Sequence, residues 1–221
     1  MAGEGLMPRV LFRVGPVEFT ATVAYTLVAS GLVVGFALLA RWGLRKGPAA
    51  WAVAAEFVVA HLEGVMRDMF GRDPRPFVPL VVTLALFVGV ANLLGLVPGM
   101  KSPTADFSTA AALAVIVFLA VPIYGIREKG LKGYLRHYLE PSPFLLPLEI
   151  ISEFSRTVAL AVRLFGNIVS EELVIAVLLA IAGLIVPVPI MMLAVLTGVV
   201  QAYIFAVLTV VYLSAAVRAK E

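Results

Sequence analysis

With 62% hydrophobic and 14% charged side chains over 221 residues, the chain lacks the polar cover of a water-soluble domain, in which about a quarter of residues carry charge. Its length is that of one domain and leaves no room, beside its apolar segments, for a separate soluble catalytic unit. The net charge of +3 is small, and the absence of cysteine excludes a disulfide framework and a thiolate metal site.

Residues 1–19 carry Glu4, Arg9, Arg13 and Glu18 through the stretch where the apolar core of a cleavable signal would lie, and so do not read as such a signal. A bilayer-crossing helix needs roughly 20 mostly apolar residues, and 20–40 is the first such segment. It stops at the basic cluster Arg41, Arg45 and Lys46, and Gly47-Pro48 then signals a new helix start. From 50 to 70 the pattern changes: Trp51, Val58, Leu62, Val65 and Met69 recur at helical spacing, with Glu56, Glu63 and Arg67 on the other face. This predicts an amphipathic helix lying on the membrane surface.

The Gly- and Pro-rich run 71–76 breaks that helix. A second span is expected over 77–97, a third over 108–125, a polar connection over 126–147, and two long spans over 148–185 and 189–217. The turn between the last two is placed at Val186-Pro187-Val188-Pro189. The expected fold is therefore an all-α integral membrane protein of one domain, with five spans and one surface helix. Twelve Lys and Arg residues fall on one side of this layout and only Arg9, Arg13 and Lys101 on the other. The basic side is expected to be cytoplasmic, with the N-terminus outside and the C-terminus inside. No internal repeat is evident, which disfavours an inverted-repeat transporter.

Charges inside a span cost a few kcal/mol each (about 2.5–3.5 for arginine on insertion scales), so function is sought there. The fourth span holds most of them. At about 100° per residue, Glu149, Ser152, Glu153, Arg156, Arg163, Asn167, Ser170 and Glu171 share one side of the helix. Glu172 points the opposite way, toward other helices of the chain or a water-filled crevice. On the last helix Gln201 is the main polar residue at mid-depth, with Thr197 one turn before it and Tyr212 near the same face. Counted from the Pro187–Pro189 turn, Arg163 and Gln201 stand at different levels, which requires one helix to tilt or bend. No acid on its own helix lies within one turn of Arg163. Its partner is then either an acid elsewhere in the chain, as in a structural ion pair, or an acid of a second protein.

The run Arg163-Leu164-Phe165-Gly166-Asn167, followed by Glu172-Leu173, resembles the signature of subunit a of F-type ATP synthases. The segments Gln201-Ala202-Tyr203-Ile204-Phe205 and Leu208-Thr209-Val210-Val211-Tyr212-Leu213 are similar to that family's last helix. Asn92-Leu93-Leu94-Gly95-Leu96-Val97-Pro98 and Pro103-Thr104-Ala105-Asp106 are similar to its second span and following loop. The resemblance covers residues 77–215 in order. It implies that Arg163 is a stator arginine facing a ring of c subunits, and that Asn167 and Gln201 line the ion path or hold the arginine. It also implies that Glu172 lies on the half-channel open to the outside and Glu149 near the cytoplasmic one. Ser170 and Glu171, on the same stripe, join the expected ion-path residues. Ala194 stands where some members have a histidine and Gly95 where some have an aspartate, while Glu171 is an additional acid.

The implied activity is passage of H⁺ or Na⁺ coupled to rotation and ATP synthesis; the basic bias of one side and the lack of a targeting segment lead to the expectation of a bacterial inner membrane. The expected partners are the c ring, peripheral-stalk b subunits and lipid, with no nucleic acid and no cofactor. ATP would be handled by other subunits, since the chain has no phosphate-binding glycine loop. The competing classes are a self-contained secondary transporter and an intramembrane enzyme. For the latter, His61 and His137 lie outside the spans and Ser170 has no visible base.

Overall fold

The computed structural model describes residues 10–14, 17–46, 50–71, 73–97, 100–139, 146–183 and 186–217. These residues form an all-α membrane protein of six helices, preceded by a short hairpin. The helices are α1 (Ala21–Lys46), α2 (Ala50–Phe70), α3 (Val78–Leu94), α4 (Phe107–Leu139), α5 (Leu146–Ala182) and α6 (Pro187–Val217), with a 3₁₀ turn at Pro103–Ala105. Segments of α1, α4, α5 and α6 are long and apolar enough to cross a bilayer, and α3 is a shorter apolar helix. At 1.5 Å per residue the 17 residues of α3 rise about 25 Å, close to the hydrocarbon thickness.

Two features differ from the expected layout at its polar ends. The N-terminal segment contains an antiparallel hairpin, β1 (Val10–Val14) with β2 (Val17–Thr20). The β-branched and aromatic residues in these two short runs suit paired strands. The 126–147 connection is helical as far as Leu139, as two helical segments of α4 that meet at a kink. Gly130 interrupts it at φ 73°, ψ 164°, a backbone geometry that L side chains avoid. The chain doubles back there, and Tyr134 packs so close to Gly125 that a methyl group at 125 would lie 2.6 Å from its ring. Residues 140–145 of that connection, and the Gly47-Pro48 start signal, lie outside the described residues. Gly130→Ala is expected to lower thermal stability by about 1 kcal/mol, from the positive φ alone. Gly31→Ala, where no atom lies within 4 Å of the added methyl, is the matched control.

Helix α6 is central. Ala194, Gly198, Gln201, Ala202, Phe205, Thr209, Val210 and Leu213 are buried at steps of three and four, the spacing of one helix face. Small residues let α3 come close: a methyl group on Gly89 would lie 3.5 Å from Ala202 Cβ, and one on Gly198 3.2 Å from Asn92 Cβ. Leu84 and Val88 of α3, Leu113 and Val117 of α4, Leu160 and Leu164 of α5, and Phe205 of α6 form one core layer. A second layer joins Leu62, Met66 and Phe70 of α2 to Phe77 and Val81, Tyr134, and Val210 and Leu213. The buried stripe of α2 is thus Leu62, Met66 and Phe70. Val58, assigned to the apolar face from spacing, is 42% exposed, because Phe70 stacks on Phe77 across the 71–77 turn (centroids 4.6 Å apart) and sets the rotation of the helix. Asp106 starts α4: its Oδ1 accepts hydrogen bonds from the Ser108 backbone N–H at 3.0 Å and hydroxyl at 2.8 Å.

Candidate functional site

Helix α5 buries only a narrow face. Leu160, Ala161, Leu164 and Ile168 are buried, whereas Arg156, Val162, Arg163 and Ser170 are exposed. The expected polar stripe is therefore split by depth. Glu149, Arg156, Arg163 and Ser170 lie open, and Ser152, Glu153, Asn167 and Glu171 are half-buried against neighbouring helices. Arg163 forms no ion pair and no hydrogen bond among the described residues. The chain supplies it with no acid there, so a structural ion pair within these residues is ruled out. A bare guanidinium in the middle of an apolar span is costly in lipid.

Toward the N-terminal end of α5, Glu149, Glu153, Arg156 and Thr157 line an open groove of about 600 Å³ with Ala114, Val117 and Phe118 of α4 and Tyr212 of α6. The Arg156 guanidinium lies 6.0 Å from the centroid of the Tyr212 ring, at the outer limit of a cation–π contact. Toward the other end, Glu171 and Glu172 line a smaller recess of about 250 Å³ with Asn92, Gly95, Ser102 and Ala194. The two adjacent acids diverge. Thr197 of α6 donates to Glu171 Oε1, and the Ser102 backbone N–H donates to Glu172 Oε1 at 3.2 Å. Glu172 thus turns inward, as its helical position predicts, and Glu171 reaches the same recess from the other side.

The Glu171–Thr197 hydrogen bond also sets the register of the α5–α6 pair. Carried along two antiparallel helices, it puts Gln201 level with Asn167 and Phe205 level with Arg163. Gln201 is then four residues, about 6 Å, from the level of Arg163, which an arginine side chain can span. The larger mismatch inferred from sequence came from misplacing the turn. Pro187 opens α6 and does not sit in the loop, and α5 ends at Ala182, followed by Gly183 at φ 72°. Proline is well tolerated in a helix's first turn, and a glycine of positive φ is a common helix stop. Gln201 is buried, 5% exposed, on the face of α6 turned to the core.

Two parts of this arrangement were not foreseen from sequence. Ser102 and Thr104 are buried beneath the Glu172 recess, although the 3₁₀ turn that holds them reads as an ordinary polar loop. The groove at Glu153, Arg156 and Tyr212 is assembled from three helices, and only its α5 residues shared a visible pattern.

A protein-family model described as ATP synthase A chain matches residues 23–214. The chain belongs to this family. It is 48% identical over 216 residues to ATP synthase subunit a 1 of Hahella chejuensis, covering 97% of this chain and 92% of that one. It is 45% identical over 220 residues to ATP synthase subunit a 2 of Bradyrhizobium sp., covering 98% and 97%. With ATP synthase subunit a of Legionella pneumophila it shares 39% identity over 223 residues, covering 100% and 96%. The segment matched by the ATP synthase A chain model includes α3 to α5 and all but the last residues of α6, and so the smaller recess, most of the larger groove and the arginine between them.

Proposed function

We propose that this chain is the ion-translocating stator subunit of a rotary ATP synthase. The observation that carries the reading is Arg163: a permanent cation, exposed in the middle of a span, unpaired among the described residues, and set between two polar recesses on the same helix. The lining of the two recesses comes nearest Arg163 at Leu160 and Ile168, three and five residues away, or about 4.5 and 7.5 Å along the axis. The recesses therefore approach the arginine from opposite ends of the helix without meeting beside it.

The missing acid is supplied by the rotor. Each c subunit brings a carboxylate that is neutral while it faces lipid, by protonation or by ion binding. Beside Arg163 the positive charge favours its ionised form, and the ion leaves. Glu171 and Glu172 serve the half-channel on the external side, next to the loop that holds Lys101, and Glu149 serves the cytoplasmic one. Asn167 and Gln201, at one level, lie between the external recess and Arg163, and Ser170 adds a hydroxyl on the rotor-facing side. The arginine also blocks a direct leak between the two paths. The chain acts without catalysing ATP chemistry itself. It lies in a bacterial inner membrane with the basic ends cytoplasmic and the N-terminus outside, held by peripheral-stalk b subunits.

A self-contained transporter is separated from a stator by reconstitution. Purified chain alone in vesicles is expected to give no gradient-driven H⁺ or Na⁺ flux, whereas the whole complex gives ion-driven ATP synthesis with one of the two ions. Flux through the isolated chain at a rate matching the complex would overturn the stator reading.

A further inference from the structure

The Glu172 carboxylate is held by a main-chain donor on the turn between α3 and α4. The Ser102 N–H reaches Glu172 Oε1 at 3.2 Å. That turn is anchored by side-chain hydrogen bonds to α3, which is itself bonded to α6. The Ser102 hydroxyl donates to the Ala91 carbonyl at 2.9 Å and touches the Thr104 hydroxyl at 2.6 Å. Thr104 donates to Asn92 Oδ1 at 2.8 Å, and Asn92 Nδ2 donates to the Gly198 carbonyl of α6 at 3.2 Å. Ser102, Thr104 and Asn92 are 3%, 0% and 5% exposed. The two hydroxyl protons serve three close contacts, and buried polar groups linked this tightly restrict the turn to a narrow range of geometries.

Gly95 completes the arrangement. A methyl group there would lie 2.9 Å from Ser102 Cβ and 3.3 Å from Ser102 N, so only glycine lets the turn come this close to the end of α3. Four elements, α3, the turn, α5 and α6, thus line the recess that holds this carboxylate.

We propose that Ser102 is the positioning residue of the external ion path, its backbone N–H fixing the Glu172 carboxylate and its buried hydroxyl fixing that N–H. The proposal rests on the reading of Glu172 as a group on that path. A donor aimed at one carboxylate oxygen restricts how the group can turn, so it meets the incoming ion in a limited range of orientations. A turn that merely closed the α3–α4 connection would need no donor directed at α5.

The backbone angles allow a clean test. Ser102 has φ −63° and ψ 128°, values that proline adopts without strain. Ser102→Pro therefore removes the N–H and the hydroxyl and sets a ring carbon where the N–H met the carboxylate, and Ser102→Ala removes only the hydroxyl. Both are compared in the whole complex in vesicles, by ion-driven ATP synthesis against the concentration of coupling ion on the external side. Relative to Ser102→Ala, Ser102→Pro is expected to shift the half-saturating ion concentration by about threefold or more, a larger change than in the maximal rate. A fall in maximal rate with the half-saturating concentration unchanged, in assembled complex, would reduce Ser102 to a structural anchor and overturn the proposal. Should Ser102→Pro fail to assemble, Gly95→Ala decides: it displaces Ser102 and is expected to move the same parameter, while Gly31→Ala does not. An unmoved parameter in Gly95→Ala would also overturn it. Failure here is distinct from failure of the stator reading, which stands or falls on Arg163→Ala in the same vesicles.

Discussion

Arg163→Ala is expected to lower ion-driven ATP synthesis by at least about a hundredfold in complexes that still assemble. At about 4 Å and an effective dielectric near 20, a guanidinium and a carboxylate attract by about 4 kcal/mol. That corresponds to roughly a thousandfold in the balance between the ionised and neutral rotor carboxylate. On the proposed mechanism, without the cation the carboxylate would pass the stator still loaded and the two half-channels would lose their separation. The fold gives no internal substitute, since Arg163 pairs with nothing among the described residues and Arg156, the nearest other cation on α5, lies two turns away beside Tyr212. Arg163→Lys is expected to retain less than about a tenth of the rate. It keeps the charge but loses the planar fork that meets a carboxylate with two hydrogen bonds. Synthesis is measured in vesicles with subunit content checked by gel. Loss of the complex itself would mean that Arg163 holds the assembly together.

Gly198→Leu is expected to be the most damaging substitution away from the arginine. Gly198 of α6 faces Asn92 of α3, and even one methyl group on it would lie 3.2 Å from Asn92 Cβ. Overpacking of a tight interior contact costs about 1–3 kcal/mol. Here the displaced neighbour is also Asn92, whose amide bonds the Gly198 carbonyl and whose carbonyl oxygen holds Thr104. Pushing α3 away therefore disturbs the Ser102 turn and the Glu172 carboxylate as well as the packing. The expected result is a melting temperature lowered by several degrees and little assembled complex. Gly35→Leu, where no atom lies within 4 Å of the added Cβ, should behave as wild type. Equal stability of the two variants would show that the α3–α6 contact yields easily.

Much of this architecture is legible in the amino-acid order, for a physical reason. A bilayer rewards long uninterrupted apolar helices, so α1 and α3 to α6 announce themselves by composition, and a charge such as Arg163 stands out against them. Position along a helix also predicts direction, which is why Glu172 was expected to turn inward. What escaped the reading depends on contacts between distant segments. Pro187 and Pro189 suggested a turn, because proline marks both loops and helix starts, and only the backbone at Gly183 separates the two. That shift of a few residues decides whether Gln201 stands near the level of Arg163. The buried face of α2 follows the Phe70–Phe77 stack rather than the whole set of apolar residues. Ser102 was invisible because it acts on Glu172 through its backbone N–H, which every residue but proline carries.

The central claim is that the open face of α5 around Arg163 lies against the carboxylate-bearing helix of the rotor. Disulfide cross-linking tests it most directly, and the absence of cysteine from the chain makes any introduced thiol unique within it. Cysteines are placed singly at Ala159, Gly166 and Ser170, which flank Arg163 along α5, and at Leu38 of α1, which is 60% exposed. Each is paired with a cysteine one turn from the rotor carboxylate. Cross-linking from Gly166 or Ser170 and not from Leu38, with ATP synthesis halted on oxidation and restored on reduction, is the predicted result. Cross-linking from Leu38 with none from the three α5 positions would contradict it.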